Sequence, residues 1–565
     1  MISLDSYKSQ GKKLYACFVD FQKAFDSVWR TGLIYKLIKY GMNMDMIKLI
    51  RNMYEKTSQC LKINQNLTRS FKTYRGVRQG CILSPQLFNL FINDIPNIFD
   101  DACKPITIKN KKISCLMYAD DLVILSETPS GLQTSLDNLH KYTEKWDLKL
   151  NIKKTKVMIF QNQGRKKANT YLFGKQTIQT TDSYKYLGTI VTSTGNFKLN
   201  EVNLKRKGLR ASYIISKNIG PLSKASTSIR LFEKIIEPIL LYNSEVTGAY
   251  IPKSWNYEKF MNKMWDTGNE LNKVVIGFLR QILGVHKKTT NLAIMAETGK
   301  YPIALKIFDQ MLKYWYRISD SDNILLIETK ELNNELHNRN KQCWKTVITY
   351  IMKALNITNT PNHDEHEKIQ RKSFKQELQK KYDLWWKSQA QSTGENKLDF
   401  YYQHKKTFTY ETYLDNIPRH IRMYITRLRL SSHSLPIEVL RYKYTGQKKK
   451  IDRENRKCTI CNLGETGDEN HYLTTCTNGE LDSIRKKFMK NIREEIPQFK
   501  QFTDKNIIEY CMLLKDPTIQ KPISIYVKDI LQTYKDETDG TLHEKNTPVK
   551  TRSGRVSRKP TKLNL

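Results

Sequence analysis

Apolar and polar positions in the first 160 residues alternate between short hydrophobic runs and segments with helical spacing. Residues 14–20, Leu-Tyr-Ala-Cys-Phe-Val-Asp, form a hydrophobic run that ends in an acid. This pattern predicts a buried strand with Asp20 at its end. Residues 27–40 and 44–56 carry apolar side chains at helical spacing, which predicts two amphipathic helices after the strand.

A second acidic position lies between two hydrophobic runs in residues 113–125. The runs predict a strand, a tight turn and a second strand, with Asp120 and Asp121 at the tip. Adjacent carboxylates in an apolar setting destabilise the folded protein unless a cation neutralises them. A divalent metal site is therefore one interpretation of this hairpin, and an ordinary acidic turn is the other.

The remaining segments of this region predict further short elements. Residues 59–63 and 69–74 have the composition of strands, and residues 76–85 have the sequence Gly-Val-Arg-Gln-Gly-Cys-Ile-Leu-Ser-Pro. Two glycines four positions apart permit another backbone segment to approach closely, although such a loop is often only a turn. The pattern also predicts helices over 86–95 and 129–147 and strands over 157–160 and 184–191.

Beyond residue 200 the hydrophobic spacing becomes helical. Segments 229–242, 274–283 and 292–317 are amphipathic, and the last is broken near residues 299–302. A basic cluster precedes them and would either contact a nucleic-acid backbone or form a solvated helix face. It consists of Lys205, Arg206, Lys207 and Arg210.

Residues 398–442 interleave aromatic residues with arginines. Such a segment can neutralise phosphates and stack on unpaired bases, or it can be a helical core whose basic face is only soluble. The residues concerned are Tyr401, Tyr402, Phe408, Tyr413, Arg419, Arg422, Arg427, Arg429 and Arg441. The preceding polar, helix-prone residues 357–396 indicate no particular role.

The net charge and composition of the chain favour some classes of function and disfavour others. The 565 residues include 95 Lys and Arg against 56 Asp and Glu, a net charge of +39, which favours a polyanionic partner such as nucleic acid. No apolar run approaches the roughly 20 residues of a membrane-spanning helix, and the N-terminus lacks a secretory signal. The ten cysteines are mostly single, which is typical of reduced proteins. We therefore expect an intracellular protein of the nucleus or cytoplasm, without membrane association.

Four late residues have the spacing of a metal site. Cys458-x2-Cys461-x9-His471-x4-Cys476 offers three thiolates and an imidazole, a set that suits a closed, structural Zn²⁺ site. A disulfide is the alternative, which the reduced cysteines elsewhere disfavour.

Residues 541–565 are basic and nearly free of large apolar groups, which predicts a disordered tail.

The motifs of the first 191 residues resemble, in order, those of reverse transcriptases from non-LTR (LINE-type) retrotransposons. Residues 18–26, Phe-Val-Asp-Phe-Gln-Lys-Ala-Phe-Asp, resemble the first catalytic motif, and residues 118–121 resemble the second. Residues 76–85 resemble the loop that positions template and nucleotide. Residues 151–160 and 184–191 resemble the lysine-bearing and primer-grip motifs that follow.

This resemblance implies an α+β fold. A palm domain with an antiparallel sheet and packed helices would be followed by a helical thumb or connector and a C-terminal zinc knuckle, since the Cys-Cys-His-Cys set resembles the knuckle of the same elements. The predicted segments are 1–195 (palm), 196–330 (thumb or connector), 331–445 (basic helical region), 446–535 (knuckle and helices) and 536–565 (tail).

The resemblance also implies catalytic roles. Asp20 and Asp120 would bridge two Mg²⁺ ions, and Asp121 would contribute less. Lys154, or the neighbouring Lys153, would donate a proton to the pyrophosphate. One structural Zn²⁺ would complete the cofactors.

Four further residues would bind substrates. Phe25 would stack under the deoxyribose and exclude a 2′-hydroxyl, and Gln79 and Gly80 would lie beside the incoming nucleotide and the template. Tyr118 belongs to the second catalytic motif and is expected at the same site. The implied partners are an RNA template, a DNA primer or target DNA, and deoxynucleoside triphosphates.

The predicted function is therefore RNA-directed DNA polymerisation. Only 19 residues precede Asp20, whereas related enzymes have there a fingers subdomain that clamps the triphosphate, and many relatives also carry an endonuclease. We therefore expect weak or no polymerase activity from a chain truncated in this way. The alternative function is that of an inactive remnant that binds RNA or DNA. A maturase-like intron protein also uses this palm, but the C-terminal knuckle argues against it.

Overall fold

The structure is a computed structural model of the chain. It describes residue 7 and residues 10–109, 111–161, 169–219, 224–248, 256–265, 270–319, 321–341, 343–357, 367–391, 397–442 and 451–545. The chain divides into two units. The first comprises Met1–Leu204, Asn243–Asn262 and Gln310–Thr360, and the second comprises Lys205–Tyr242, Lys263–Asp309 and Pro361–Leu565.

The strands of the described residues all belong to the first unit. They are β1 Leu14–Asp20, β2 Ser58–Gln59, β3 Lys62–Ile63, β4 Asn66–Leu67, β5 Phe71–Lys72, β6 Ile106–Ile108, β7 Lys111–Ile113, β8 Cys115–Tyr118, β9 Asp121–Ser126, β10 Lys156–Phe160, β11 Tyr171–Phe173, β12 Gln176–Thr180, β13 Ser183–Tyr186 and β14 Thr189–Thr192.

Helices account for most of the remaining structure. The α-helices are α1 Ala24–Ser27, α2 Arg30–Lys39, α3 Met44–Glu55, α4 Ser84–Ile92, α5 Pro129–Lys145, α6 Lys198–Asn218, α7 Ala225–Leu231, α8 Glu237–Leu240, α9 Ser244–Thr247, α10 Tyr257–Lys263, α11 Glu270–Leu283, α12 Asn291–Glu297, α13 Ile303–Ser319, α14 Ile324–Asn338, α15 Trp344–Ala354, α16 Glu367–Gln391, α17 Asp399–His404, α18 Tyr413–Asn416, α19 Arg419–Arg429, α20 Pro436–Val439, α21 Gly479–Glu495, α22 Asp504–Met512 and α23 Pro517–Lys545. Short 3₁₀ or π-helical turns cover Ile95–Ile98, Asp101–Cys103, Phe232–Ile236, Leu440–Tyr442, Arg453–Asn455, His471–Thr475 and Pro497–Gln501. In the part of the chain that the structure describes, no helix is both long and apolar enough to cross a bilayer.

Six strands form one sheet in the order β11-β12-β10-β1-β9-β8. β1 is central and pairs antiparallel with β10 on one side and with β9 on the other. β10 pairs with β12 in parallel, so the sheet is mixed rather than wholly antiparallel as predicted. The central place of β1 explains its hydrophobic run, because a central strand covered on both faces exposes neither set of side chains.

Each face of β1 contributes to a different hydrophobic core. Tyr15, Cys17 and Val19 pack into a large core with helices of the first unit. The alternate residues Ala16 and Phe18 pack into a smaller core on the opposite face. This alternation follows from the two-residue period of a strand, and it holds the end of β1 in place from both sides.

The segment predicted as one strand over 184–191 is a hairpin of β13 and β14. Tyr186 pairs with Thr189, so that Leu187 and Gly188 form a two-residue loop. Both loop residues have positive φ, +45° and +80°, as the favoured two-residue hairpin turns require. The prediction of a single strand was wrong because the dipeptide Leu-Gly carries no strong turn signal.

The last helix, α23, ends at Lys545. The boundary predicted for the tail, residue 536, therefore falls inside a helix. Residues 546–565 of the predicted tail lie outside the described residues.

The second unit has a buried charged network where the sequence suggested a basic surface. Arg429 donates from Nε to Glu297 Oε1 at 2.9 Å and from Nη1 to the Met512 carbonyl oxygen at 2.6 Å. The Tyr413 hydroxyl donates to the same Glu297 oxygen at 2.7 Å. Arg429 and Glu297 are almost fully buried, and burial raises the carboxyl pKa, but Arg429 and Lys405 nevertheless hold the pKa of Glu297 below its usual range.

This burial decides between the two interpretations of residues 398–442. Tyr401, Tyr402, Phe408 and Tyr413 are buried, as are Arg422 and Arg429. These side chains therefore form a core and are inaccessible to bases or phosphates. The interpretation as a helical core is therefore the better one. Arg422 and Arg429, however, are buried in that core and do not lie on a solvent-exposed face.

We expect Arg429→Met to lower the free energy of unfolding by about 3–5 kcal/mol, because it removes the ion-pair partner of the buried Glu297 carboxylate and leaves only the more weakly placed Lys405 as a counter-charge. Urea denaturation at neutral pH measures the change. Lys490→Met, at an exposed position on α21, is the matched control and should change stability by less than about 0.5 kcal/mol. Equal stability of the two variants would contradict a structural role for this ion pair.

Candidate active site and candidate metal centre

Three aspartates lie at one end of the central strands. Asp20 is the last residue of β1 and the direct cross-strand partner of Asp121, the first residue of β9. Tyr118 pairs with Asp121 across β8 and β9, so Ala119 and Asp120 form the turn. The strand–turn–strand predicted from the hydrophobic runs is confirmed, with Asp120 in the turn and Asp121 already in the second strand. The register places the two segments that resemble catalytic motifs side by side.

The negative charge of the three aspartates raises the pKa of acidic groups in and beside the cluster. Burial raises the pKa of Asp121, and the neighbouring carboxylates of Asp120 and Asp20 raise it further. Burial, followed by the charges of Asp20 and Asp121, raises the pKa of Tyr184 to about 12. A bound cation would relieve this repulsion, and carboxylate oxygens are the donors that Mg²⁺ prefers. The residues present therefore fit a divalent ion.

Lys154 reaches the carboxylates, with Nζ 3.7 Å from Asp20 Oδ2. Its position follows from the backbone on either side of it. The Asn151 N–H donates to the Asp20 carbonyl oxygen at 2.8 Å, and the Asp20 N–H donates to Thr155 Oγ1 at 3.3 Å. These bonds tie the lysine-bearing segment to the end of β1.

The glycine loop 76–85 contacts the segment that follows β1. The Val77 N–H donates to the Phe25 carbonyl oxygen at 2.8 Å, and Gln79 Nε2 donates to Asp26 Oδ1 at 3.0 Å. The Phe25 ring stacks on Phe88, with centroids 4.9 Å apart. The loop and the first aspartate motif therefore form one connected structure.

The other predicted substrate residues remain open to solvent. Tyr118 has 67% of its surface exposed. Gly80 has a φ of +81° and no atom within 4 Å of a Cβ placed there. Both positions leave room for a ligand, whereas Phe25 is partly buried against the large core of the first unit.

Arg30 is a positioning residue that the sequence did not reveal. Its guanidinium donates to the carbonyl oxygens of Gly76 at 3.0 Å, Tyr54 at 2.9 Å, Thr73 at 2.6 Å and Arg75 at 3.0 Å. Thr57 Oγ1 also accepts from it, at 2.8 Å. A single arginine thus joins the end of α3 to the chain that leads into the glycine loop. Most of its partners are backbone atoms, which no residue pattern predicts.

We expect Gly76→Ala to destabilise the protein by about 2–3 kcal/mol, because a left-handed non-glycine residue costs about 1 kcal/mol or more and the added Cβ would lie 2.8 Å from the Asp26 carbonyl oxygen. Gly80→Ala is the matched control, since it shares the positive φ without the contact. Thermal unfolding of both variants measures the difference. Equal melting temperatures would show that the close approach to Asp26 is not a constraint.

A second site lies in the second unit. Cys458, Cys461, His471 and Cys476 each present one ligand atom, and these atoms lie within 4.8 Å of one another. Cys461 Sγ is 3.4 Å from His471 Nε2, and Cys458 Sγ is 4.0 Å from Cys476 Sγ. The predicted spacing thus brings all four side chains together. Among the described residues, this is the set whose ligand atoms lie close enough together to hold a metal ion as they stand. The carboxylates of the three aspartates do not converge as tightly.

The local backbone explains why the four ligands converge. The Cys458 N–H donates to the Glu465 carbonyl oxygen at 2.9 Å, and Lys457 and Thr466 form an isolated antiparallel bridge. These contacts fold the first two cysteines into a tight loop. The Cys476 N–H donates to the His471 carbonyl oxygen at 2.9 Å across a π-helical turn. Hydrogen bonding, first with Cys476, holds the pKa of Cys458 well below its usual range.

The first predicted basic cluster is partly engaged within its own unit, because Lys205 forms an ion pair with Glu270. Lys273 pairs with the same carboxylate. Lys205, on α6, is therefore engaged by a partner on α11, a carboxylate that it shares with Lys273.

Comparison with known proteins identifies the family of the segment that contains the first site. The profile described as "Reverse transcriptase (RNA-dependent DNA polymerase)" matches residues 2–191. That segment contains all three aspartates, the glycine loop and Lys154. The chain therefore contains a reverse transcriptase domain.

The relatives indicate the type of domain. The RNA-directed DNA polymerase from mobile element jockey of Drosophila melanogaster is 27% identical over 244 residues, covering 41% of this chain and 25% of that protein. The Pol polyprotein from the type-1 retrotransposable element R2 of Nasonia vitripennis is 30% identical over 193 residues, covering 33% and 19%. The domain is thus of the non-LTR retrotransposon type, as the motifs predicted, and the chain spans a quarter or less of these relatives.

A solved structure shares only a slight likeness. The telomerase of Candida albicans, in complex with a fragment of telomeric RNA, is 14% identical with a TM-score of 0.24, covering 58% of this chain and 51% of that one. This likeness is too low to support an argument.

Proposed function

We propose that the chain is an RNA-directed DNA polymerase of a non-LTR retrotransposon, which extends a DNA primer on an RNA template. The observation that carries this proposal is the register that sets Asp20 opposite Asp121, with Asp120 in the adjoining turn. It occurs within the segment that matches the reverse transcriptase family.

In this proposal Asp20, Asp120 and Asp121 hold two Mg²⁺ ions, with Asp121 the weakest contributor. The ions would stabilise the attacking and leaving oxygens of the nucleotidyl transfer. Paired strands carry Asp20 and Asp121, and the adjoining turn carries Asp120, so the fold itself brings the three carboxylates to one end of the sheet. Their mutual repulsion in the free protein favours the binding of a cation.

Other residues would act on the nucleotide. Lys154, held beside Asp20, would donate a proton to the pyrophosphate leaving group. Phe25, supported by Phe88, would contact the sugar and exclude a 2′-hydroxyl. Gln79 and Gly80 would contact the incoming deoxynucleoside triphosphate and the template base from the glycine loop.

The Cys458-Cys461-His471-Cys476 set is proposed to bind one structural Zn²⁺. Three thiolates and an imidazole are a donor set that zinc prefers, and the net charge of +39 supports a nucleic-acid partner for the chain as a whole. The knuckle would help to hold the RNA or the target DNA.

Primer extension tests the proposed activity. The purified chain is given an RNA template, an annealed DNA primer, deoxynucleoside triphosphates and Mg²⁺, and the products are sequenced. We expect slow incorporation, in line with the weak activity expected from the sequence, that follows the template and stops when the divalent ion is chelated. Tight binding of the template–primer without incorporation would contradict the polymerase and favour the binding protein considered as the alternative.

A further inference from the structure

We propose that Glu465 and Tyr472 form an outer shell that orients the ligands of the cysteine–histidine site. Glu465 would fix the His471 ring, and Tyr472 would stabilise the Cys458 thiolate. This inference rests on the proposed Zn²⁺ site and concerns two residues outside its ligand set.

Glu465 contacts the ring nitrogen that faces away from the other ligands. Its Oε2 lies 2.8 Å from His471 Nδ1, which donates to it. Thr475 Oγ1 donates to the same carboxylate oxygen at 3.2 Å. A histidine whose Nδ1–H is held in this way presents Nε2 as its unprotonated nitrogen, and Nε2 is the atom that lies 3.4 Å from Cys461 Sγ.

The backbone of Glu465 fixes the position of its carboxylate. Its carbonyl oxygen accepts the Cys458 N–H at 2.9 Å, within the loop that carries the first two cysteines. One residue therefore connects the cysteine loop, through its backbone, to the histidine, through its side chain. Cys461, in the cysteine loop, and His471 are 10 positions apart in sequence. Glu465 lies between them and links the two parts of the site.

Tyr472 contacts the other half of the site. Its hydroxyl oxygen lies 3.2 Å from Cys458 Sγ. The ring is fully buried and packs edge-on against Tyr534, with centroids 5.0 Å apart. Once Cys458 is deprotonated to bind a metal, the hydroxyl becomes the hydrogen-bond donor to the sulfur. Such a bond stabilises the thiolate and fixes its direction.

The spacing of the ligands predicts neither residue. A carboxylate that orients a metal-bound histidine typically changes metal affinity by about 10- to 100-fold when it is removed. We expect an effect at the lower end of this range from removal of the hydrogen bond on a ligating sulfur. The two contacts therefore predict an effect on affinity and not on the number of ions bound.

Zinc affinity of the full chain tests the proposal, measured by competition with a chromophoric chelator under reducing conditions. We expect Glu465→Ala to weaken binding about 10- to 100-fold, with partial recovery in Glu465→Gln, whose amide oxygen can still accept from Nδ1. Tyr472→Phe should weaken binding about 10-fold. Glu494→Ala, an exposed acid on α21, is the matched control and should not change affinity.

Two further measurements separate the inference from its premise. Saturating zinc should give one ion per chain in every variant, and wild-type protein that binds none would overturn the Zn²⁺ site and the inference together. The cobalt-substituted protein should show an altered d–d absorption band in Glu465→Ala, which a general loss of stability would not produce. Stoichiometric zinc binding with unchanged affinity and spectrum in both Glu465→Ala and Tyr472→Phe would overturn the outer shell alone.

Discussion

Replacing Asp120 by asparagine is expected to reduce templated incorporation about 10³-fold or more. A catalytic metal contributes several kcal/mol of transition-state stabilisation, and the loss of about 4 kcal/mol corresponds to about three powers of ten in rate. Asp20→Asn should have a similar effect, because Asp20 ends the central strand beside the same turn. Asp121→Asn should have a smaller effect.

Asp322→Asn is the control for this series. Asp322 is an exposed acid of the first unit, so its removal changes the net charge equally without touching the three-aspartate cluster. Removing one of three neighbouring carboxylates also relieves repulsion, so Asp120→Asn should unfold at the same temperature as the wild type or higher. A stable Asp120→Asn protein that retains incorporation within tenfold of Asp322→Asn would exclude this residue from the catalytic site.

Removal of zinc is expected to destabilise the second unit strongly. Apparent binding free energies of structural Zn²⁺ in small peptides are about 10–16 kcal/mol at neutral pH. The knuckle is joined to its surroundings by Arg485, which donates to the Cys476 carbonyl oxygen at 2.9 Å, and by the Tyr526 hydroxyl, which donates to that of Leu473 at 2.6 Å. Loss of the ion should therefore loosen α21 and α23 as well.

Elemental analysis and thermal unfolding measure this effect. The wild type should contain one zinc per chain, and Cys458→Ser should contain none and unfold at a lower temperature. Cys60→Ser, which replaces an exposed cysteine of the first unit, should keep both the metal and the melting temperature. A folded, reduced wild-type preparation without metal would contradict the site.

Hydrophobic patterning was sufficient for the elements that carry the aspartates. The run 14–20 predicted β1 because a strand buried on both faces must be apolar throughout. The run after Asp121 predicted β9 for the same reason. The run before Tyr118 predicted β8, although β8 is an edge strand whose side chains are only partly buried or exposed. The pairing of Asp20 with Asp121 was not predictable in this way, because periodicity identifies strands but not the partner or register of each.

Long-range polar contacts were the features that sequence patterning missed. The sequence pattern predicts a surface position for Arg429, because its partner, Glu297, lies 132 positions away. The sequence does not reveal Arg30, because it binds mainly backbone oxygens, which every residue provides. Glu465 was missed because a carboxylate that orients a ligand leaves no trace in the spacing of the ligands themselves.

The turn between β8 and β9 has a further consequence for the evolution of the domain. Ala119 adopts a φ of +50°, which glycine would adopt more easily. Glycine there would also enlarge the number of conformations of the unfolded chain and loosen the tip that carries Asp120. Alanine keeps the tip rigid at the expense of local strain, so selection for maximum stability and selection for a rigid carboxylate would favour different residues at this position.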